Sequence, residues 1–202
     1  MKAILISIHS QWVELILNFI KKDEIRKGTA IGKAITRLIK EQGVAPMLIY
    51  CTKGKPTLKG LIAKSWHGLG GYFDYEKLNG KVVARFNATA DLLELKMIEG
   101  GLYFTTPDRD CFTPNLDLNE NAQIDNFELL HYTGTKLGTK ITDIHINDLV
   151  VFDKPKELSE FKSYKKNIVN TKINGMVFET ELDNSLIKAP QNYCYVEVED
   201  EE

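Results

Sequence analysis

Residues 2–8, KAILISI, form a short apolar run that ends where polar residues begin at His9. A run of this length is typical of a buried β-strand. Near the other end of the chain, residues 193–199, YCYVEVE, alternate in polarity, so Cys194, Val196 and Val198 are predicted to share one face of a strand. Both strands are expected to be integral to the fold.

Helical spacing of apolar residues marks two segments of the first half. The first carries its apolar side chains on one face, at Trp12, Leu15, Ile16 and Phe19. The second is predicted over 29–42, with Gly43 ending it. A short third helix is predicted over 127–132, with Asp125 as its N-cap.

The remaining segments predict short strands joined by turns, over 46–52, 81–90, 140–146, 149–153 and 176–180. Residues 105–126 are polar and contain two prolines, which predicts a long loop, and Pro155 is expected to open a helical turn. The pattern therefore predicts one α+β domain over 1–202, a mixed sheet or barrel with helices at its ends and an acidic end at 199–202.

The bulk composition is that of an ordinary globular protein, with 43% hydrophobic and 27% charged residues among 202. Its three cysteines are too few and too widely spaced for a disulfide framework or a zinc motif, which favours a reducing compartment. No small-residue cleavage site follows the N-terminal apolar run, and no run is long enough to span a bilayer. The predicted location is therefore a reducing compartment such as the cytoplasm.

Charge is distributed unevenly along the chain. Residues 1–85 hold 15 lysines and arginines against 6 acidic residues, whereas residues 86–202 hold 11 against 22. A basic half can attract polyanions such as nucleic acid. The alternative is that the two halves interleave in the fold and neutralise each other.

The sequence LNFIKKDEIRKG, residues 17–28, follows the first predicted helix directly. Together with the preceding strand and helix it resembles the start of ASCH domains, members of the PUA-like superfamily, whose opening pattern is roughly G-x-K-x-x-E-x-R. Lys21, Glu24 and Arg26 match this pattern, and Phe19 stands where the pattern has glycine. Further segments similar to a bacterial and phage branch of the family are IYCTKGKP, NGKVVARF, HINDLVVFDKPKELSEF and KAPQNYCYVE.

The resemblance implies a PUA-like β-barrel with helices packed around it. It also implies a ligand class, since related folds bind RNA or DNA carrying modified bases. Some ASCH proteins are acetylcytidine amidohydrolases, and others have been proposed as ribonucleases. In the amidohydrolase branch a lysine and a threonine stand three residues apart in the opening motif; Lys21 matches the lysine, but Glu24 occupies the threonine position. We therefore expect no cleavage of acetylcytidine.

Lys21, Glu24 and Arg26 are the first candidate site residues. An arginine can bind a phosphate or a base edge with paired donors, a lysine adds a point charge, and a glutamate can accept from an exocyclic amino group. If the enzyme interpretation holds, Lys21 and Glu24 are the candidate acid–base groups. The alternative is an internal Glu24–Arg26 ion pair on a solvated edge.

Lys53, Lys55 and His145 complete the predicted nucleic-acid-binding set. The two lysines lie in a glycine-flanked turn with aromatic residues nearby in sequence, a combination that suits single-stranded nucleic acid. His145 lies in an alternating strand and is predicted either to line the pocket or to be a partly buried structural residue. Residues 117–128 have oxygen-bearing side chains at calcium-loop spacing, but Ala122 replaces the required glycine. Neither a metal nor a cofactor is predicted.

Three functions remain open at this point. The favoured one is a non-catalytic module that binds RNA or a nucleotide with a modified base. The second is a hydrolase of modified nucleosides or RNA. The third is a phage protein-interaction module that uses the acidic second half against a basic partner.

Overall fold

The computed structural model of the protein contains both strands and helices. It describes residues 1–54, 78–98, 100–106, 116–165, 167–173 and 176–199. The elements, in chain order, are β1 (Lys2–His9), α1 (Ser10–Leu17), β2 (Asp23–Lys27), α2 (Ala30–Gln42), β3 (Pro46–Thr52), β4 (Lys81–Ile98), β5 (Gly101–Thr105), α3 (Leu116–Ala122), α4 (Asn126–Thr133), β6 (Lys140–Glu157), a 3-10 turn (Leu158–Glu160), β7 (Lys162–Ser163), β8 (Asn167–Ile173), β9 (Met176–Leu182) and β10 (Tyr193–Glu197).

The chain divides into two compact units. The first comprises residues 1–11, 46–85 and 151–202, and the second comprises 12–45 and 86–150. Both units draw on both halves of the sequence, as the interleaving alternative expected. The first unit holds 15 basic and 13 acidic residues, and the second holds 11 and 15. Neither unit therefore retains the strong charge imbalance of the sequence halves.

β1 lies between two partners in the first unit. It runs parallel to β3, with Ile4 opposite Met47, and antiparallel to β10, with Lys2 opposite Glu197. The strand order in this unit is β4–β3–β1–β10–β7. β1 is paired on both sides, and its apolar run from Ala3 to Ile8 is buried, as the sequence predicted.

The core of the first unit is built from the strands around β1 and the segment after β6. Its buried members are Ala3, Leu5, Leu48, Tyr50, Val82, Phe161 and Val196. Cys194 and Val198 pack against this cluster beside Val196, which confirms the predicted inward face of β10. β8 and β9 form a separate antiparallel pair, which confirms the strand predicted over 176–180.

The second unit contains β2, α2, α3, α4, β5 and the corresponding parts of β4 and β6. β2 runs antiparallel to β6, which neighbours β4, and β4 pairs with β5 in a hairpin. Its core cluster joins both strand and helix residues: Ile25, Leu93, Leu95, Phe104, Leu118, Ala122, Leu129 and Ile141. α2 matches the predicted second helix, and Gly43 ends it in the left-handed conformation, with φ 82°.

The α+β class is confirmed, but the predicted barrel is not found. In neither unit do the described strands close into a barrel, since β2 and β7 end the strand order without a further partner. The barrel was inferred from the ASCH resemblance and from many short strands. The structure has instead two strands of 18 residues each, β4 and β6, which run on past their predicted ends.

Four local predictions are corrected as well. The loop predicted over 105–126 contains α3, and Pro155 lies within β6 rather than at the start of a helix. α1 ends at Leu17, so Phe19 is outside the helix and exposed. The turn predicted near residue 147 is not found, because β6 continues through it. Asp148 has a positive φ of 51° inside the strand.

Across the described parts of the chain, every helix is too short or too polar to cross a membrane.

Removal of β10 should unfold the first unit. A chain that stops at residue 189 loses the antiparallel partner of β1 and the buried Val196, so its main apolar strand has an open edge. We expect loss of the cooperative thermal transition in circular dichroism. A chain that stops at residue 199 is the matched control, because it keeps β10 and removes only the acidic end. A native-like melt of the shorter chain would contradict the pairing.

Candidate functional site

A tight turn joins α1 to β2 and sets up the candidate site. The Phe19 N–H donates to Ile16 O at 2.9 Å, and the Lys21 N–H donates to Leu15 O at 3.1 Å. The Lys22 N–H then donates to Asn121 O at 2.8 Å, just before the end of α3. These backbone bonds fix where the charged residues of β2 begin.

Phe19 takes an unusual conformation in this turn. Its φ is 60°, in the left-handed region, and 64% of its surface is exposed. An L-residue other than glycine takes this conformation at a cost of roughly 1–2 kcal/mol. In the ASCH pattern the position of Phe19 is a glycine, which can take the left-handed conformation without this cost.

Lys21 points into the second unit. It is 5% exposed, and its Nζ donates to Ala122 O at 2.7 Å, at the end of α3. Nζ also lies 3.5 Å from Glu24 Oε2 and 5.2 Å from the centre of the Trp12 ring. Burial lowers the pKa of Lys21, and the negative charge of Glu24 opposes that shift.

Glu24 connects the two predicted basic residues. Its Oε1 lies 3.1 Å from Arg26 Nε, while its Oε2 faces Lys21. The side chains of Glu24 and Arg26 are only 9% and 14% exposed. The internal ion pair considered from the sequence is therefore present, but it is buried rather than solvated.

His145 lies directly opposite Asp23 in the register of β2 and β6. Its Nδ1 is 2.9 Å from Asp23 Oδ1, and its Nε2 is 3.5 Å from Asp91 Oδ2. The hydrogen bond to Asp23 raises the pKa of His145 to about 9, against the effect of burial, and the charges of Asp143, Asp23 and Asp91 add to the increase.

Asp143 is the most deeply buried carboxylate of the group. It is 1% exposed, and among the described residues its Oδ1 has no hydrogen-bond partner. Burial, together with the negative charges of Asp23 and Asp91, raises the pKa of Asp143 to about 7. The positive charges of His145 and Lys21 oppose this shift. This carboxyl group therefore titrates near neutral pH.

Four of the six predicted site residues lie in the second unit, in two groups: Lys21, Glu24 and Arg26 are joined by ion pairs, whereas His145 lies with Asp23 on the other face of the β2–β6 pair. Lys53 belongs to the first unit, where it is exposed and its side chain lies next to Gly80. Lys55 lies outside the described residues. Asp125 caps α4 by accepting from the Glu128 N–H at 2.7 Å, as predicted.

Sequence reasoning missed the three aspartates around His145. Asp143 stands two residues before His145, so the alternating strand already placed them on one face. Asp23 stands opposite His145 only because of the strand register, which a single sequence does not reveal. Asp91 comes from β4, far away in sequence.

A scan against protein-family models gave no match, and a search of curated proteins gave no significant match. The ASCH resemblance therefore stays a prediction, and the candidate site depends on its own geometry.

Replacement of Asp143 by asparagine should change how stability depends on pH. A carboxyl group with a pKa of 3.8 when unfolded and about 7 when folded makes a contribution to stability that is complete below pH 3.8 and is lost progressively as the pH rises to about 7. Asparagine cannot ionise. The stability gained by Asp143→Asn should therefore grow by roughly 2–3 kcal/mol between pH 5 and pH 8, at 1.36 kcal/mol per pKa unit.

Urea unfolding at both pH values, with a chelator present, measures this gain. His145 titrates in both proteins, and the hydrogen bond to Asp23, the largest cause of its raised pKa, is kept in the variant. Asp148→Asn is the matched control, because Asp148 is an exposed aspartate of the same strand. An Asp143→Asn effect of equal size at pH 5 and pH 8 would contradict the raised pKa.

Proposed function

We propose that this protein binds RNA, or a nucleotide with a modified base, at the surface of the turn between α1 and β2. The observation that carries the proposal is Phe19, an exposed aromatic residue held in the left-handed conformation. The nucleic-acid class of ligand is taken from the ASCH resemblance.

Phe19 is costly for the fold in two ways. Its backbone is strained, and its ring gains little from burial because most of it faces water. Glycine or asparagine would relieve the strain without opening a hole in the core. An exposed ring is, however, suited to stacking on an unpaired base, a contact worth about 1–3 kcal/mol per base.

Lys22 supplies a charge three residues after this ring in the sequence. It is exposed, and its position is fixed by backbone bonds in both directions: its N–H donates to Asn121 O, and its carbonyl accepts from the Ile146 N–H at 2.9 Å. An exposed ammonium group close in sequence to a stacking ring can contact the phosphate next to the stacked base.

From the sequence, Lys21, Glu24 and Arg26 were expected to bind the ligand on an open surface. Their role in this proposal is different, because their side chains are largely buried. Lys21 holds the turn against the end of α3 through Ala122 O. Glu24 orients Arg26, the most exposed of the three side chains. Because both units are close to neutral, local contacts rather than a large basic surface support binding.

The test is a comparison of two phenylalanine variants. Phe19→Gly should weaken binding to a single-stranded RNA pool by roughly 5- to 150-fold, the equivalent of one lost stacking contact. Its unfolding free energy should stay within about 1 kcal/mol of wild type, because relief of the strain offsets the added freedom of glycine in the unfolded chain. Filter binding and urea unfolding measure the two quantities.

Phe127→Ala is the matched control. Phe127 is 80% exposed and lies in the same unit, in the first turn of α4 rather than in a strained turn. Its replacement should leave RNA affinity within about twofold. Equal affinities for wild type and Phe19→Gly would remove the basis of the proposal, and equal losses in both variants would point to non-specific binding by exposed rings.

A second candidate function is a hydrolase of RNA or of a modified nucleoside. The observation in its favour is the buried Lys21–Glu24 pair, since buried ionisable groups with shifted pKa values are concentrated at catalytic sites. In such a reaction Glu24 would accept a proton from the attacking water, and Lys21 would donate one to the leaving group.

Turnover separates the two candidates. Under the binding proposal, acetylcytidine and RNA incubated with the protein stay intact, because Glu24 stands where the amidohydrolases have their threonine. Release of acetate or shortening of RNA by the wild type, lost in Glu24→Gln and kept in Asp148→Asn, would favour the hydrolase. Liquid chromatography of the nucleoside and gel analysis of the RNA provide the measurement.

A further inference from the structure

We propose that Asp23, Asp143 and His145 form a binding site for one divalent transition-metal ion. Each of these residues can offer one ligand atom, and the three atoms all lie within 4.8 Å of one another. The site goes beyond the proposed RNA binding and does not depend on it.

The two strands hold the three ligands in place. Asp23 and His145 are a directly opposed pair of β2 and β6, and Asp143 is on the same face of β6, two residues before His145. All three therefore come from paired backbone rather than from loops, so the ligand set is fixed before an ion arrives.

The spacing of two ligand atoms already suits an ion. His145 Nδ1 and Asp23 Oδ1 are 2.9 Å apart. Ligand atoms at about 2.0–2.2 Å from a zinc ion stand roughly 3.0 Å apart at octahedral angles and roughly 3.4 Å apart at tetrahedral angles. An ion can thus replace the proton that the two groups share, with only a small movement of either side chain.

Asp143 gives a second, independent reason for a cation. Asp143 is 1% exposed, and its buried Oδ1 has no hydrogen-bond partner within the part of the chain that the structure describes. A buried polar atom left unsatisfied costs about 1–3 kcal/mol, and more when it is charged. A cation beside Asp23 and His145 would satisfy this oxygen and offset the repulsion between the carboxylates.

Asp91 completes the arrangement around the imidazole. Its Oδ2 lies 3.5 Å from His145 Nε2, on the opposite side of the ring from Asp23. A carboxylate that accepts from the outer nitrogen of a metal-binding histidine fixes the ring and makes it a better ligand. This placement of Asp91 is the one expected behind a metal-bound histidine.

The donor set indicates the kind of ion. One imidazole nitrogen and two carboxylate oxygens favour Zn²⁺, Mn²⁺ or Fe²⁺ over Ca²⁺, which takes oxygen ligands. Three protein ligands also leave at least one coordination position open for water or a bound molecule.

Binding of Zn²⁺ and Mn²⁺ to the full chain, after removal of metals by a chelator, tests the site. Isothermal titration calorimetry should show one ion per chain. Asp143→Asn and Asp23→Asn should each weaken binding by at least about 10-fold, as expected when a ligand charge is lost. Asp148→Asn should bind as wild type does, because this aspartate of β6 lies outside the cluster.

A measurement on the wild-type protein tests the site even if the variants fail to fold. Mn²⁺ at less than one equivalent should broaden the imidazole resonances of His145 and leave those of His131, a residue of α4, sharp. Absence of saturable binding of either ion to wild type would overturn the proposal. So would one-to-one binding that persists in a folded Asp143→Asn variant, or equal broadening of both histidines.

Discussion

The antiparallel register of β2 and β6 is the constraint on which the candidate site depends. It places Asp23 opposite His145 and puts the unsatisfied Asp143 beside them. A shift of one residue would turn these side chains to the other face of the sheet and would take Ile25 out of the core of the second unit. The packing of Ile25 and Ile141 in that core therefore also fixes the positions of the ionisable groups.

Burial of so many charges is tolerated because each has a specific partner or a shifted pKa. Lys21 is held by a carbonyl oxygen and a carboxylate, and Glu24 is shared between Lys21 and Arg26. Replacing such a network by apolar side chains is often neutral or stabilising in other proteins, so stability alone does not explain why a sequence has one. Asp143 has a raised pKa but, among the described residues, no hydrogen-bond partner for its Oδ1, and it therefore argues most directly for a ligand.

The sequence was sufficient for elements whose signal is local. The apolar run of β1, the stripe of α2 with Gly43 after it, and the cap at Asp125 all depend on neighbouring residues, and all were predicted. The barrel was wrong because closure depends on pairing between distant strands. The long strand β6 was predicted as two strands because the sequence indicates a turn near Asn147. In the structure Asp148 has a positive φ within one continuous strand.

The sequence predicted some residues of the candidate site but not others. Lys21, Glu24 and Arg26 stood out through the ASCH resemblance, although their burial did not. Asp91 and Asp23 reach His145 only through strand pairing, and Phe19 was assigned to a helix because its spacing continues that of Trp12 and Ile16. The apolar spacing is present in the sequence, but α1 ends at Leu17, two residues before Phe19.

The way the first unit is assembled from segments has a consequence for synthesis in the cell. β1 is translated first, but its antiparallel partner β10 is translated last. At about 5–20 residues per second, one edge of this apolar strand stays without its partner for roughly 10–40 s. During that time the nascent chain presents an open, aggregation-prone edge, so its yield should depend on chaperones and on translation rate more than that of a protein with only local strand pairs.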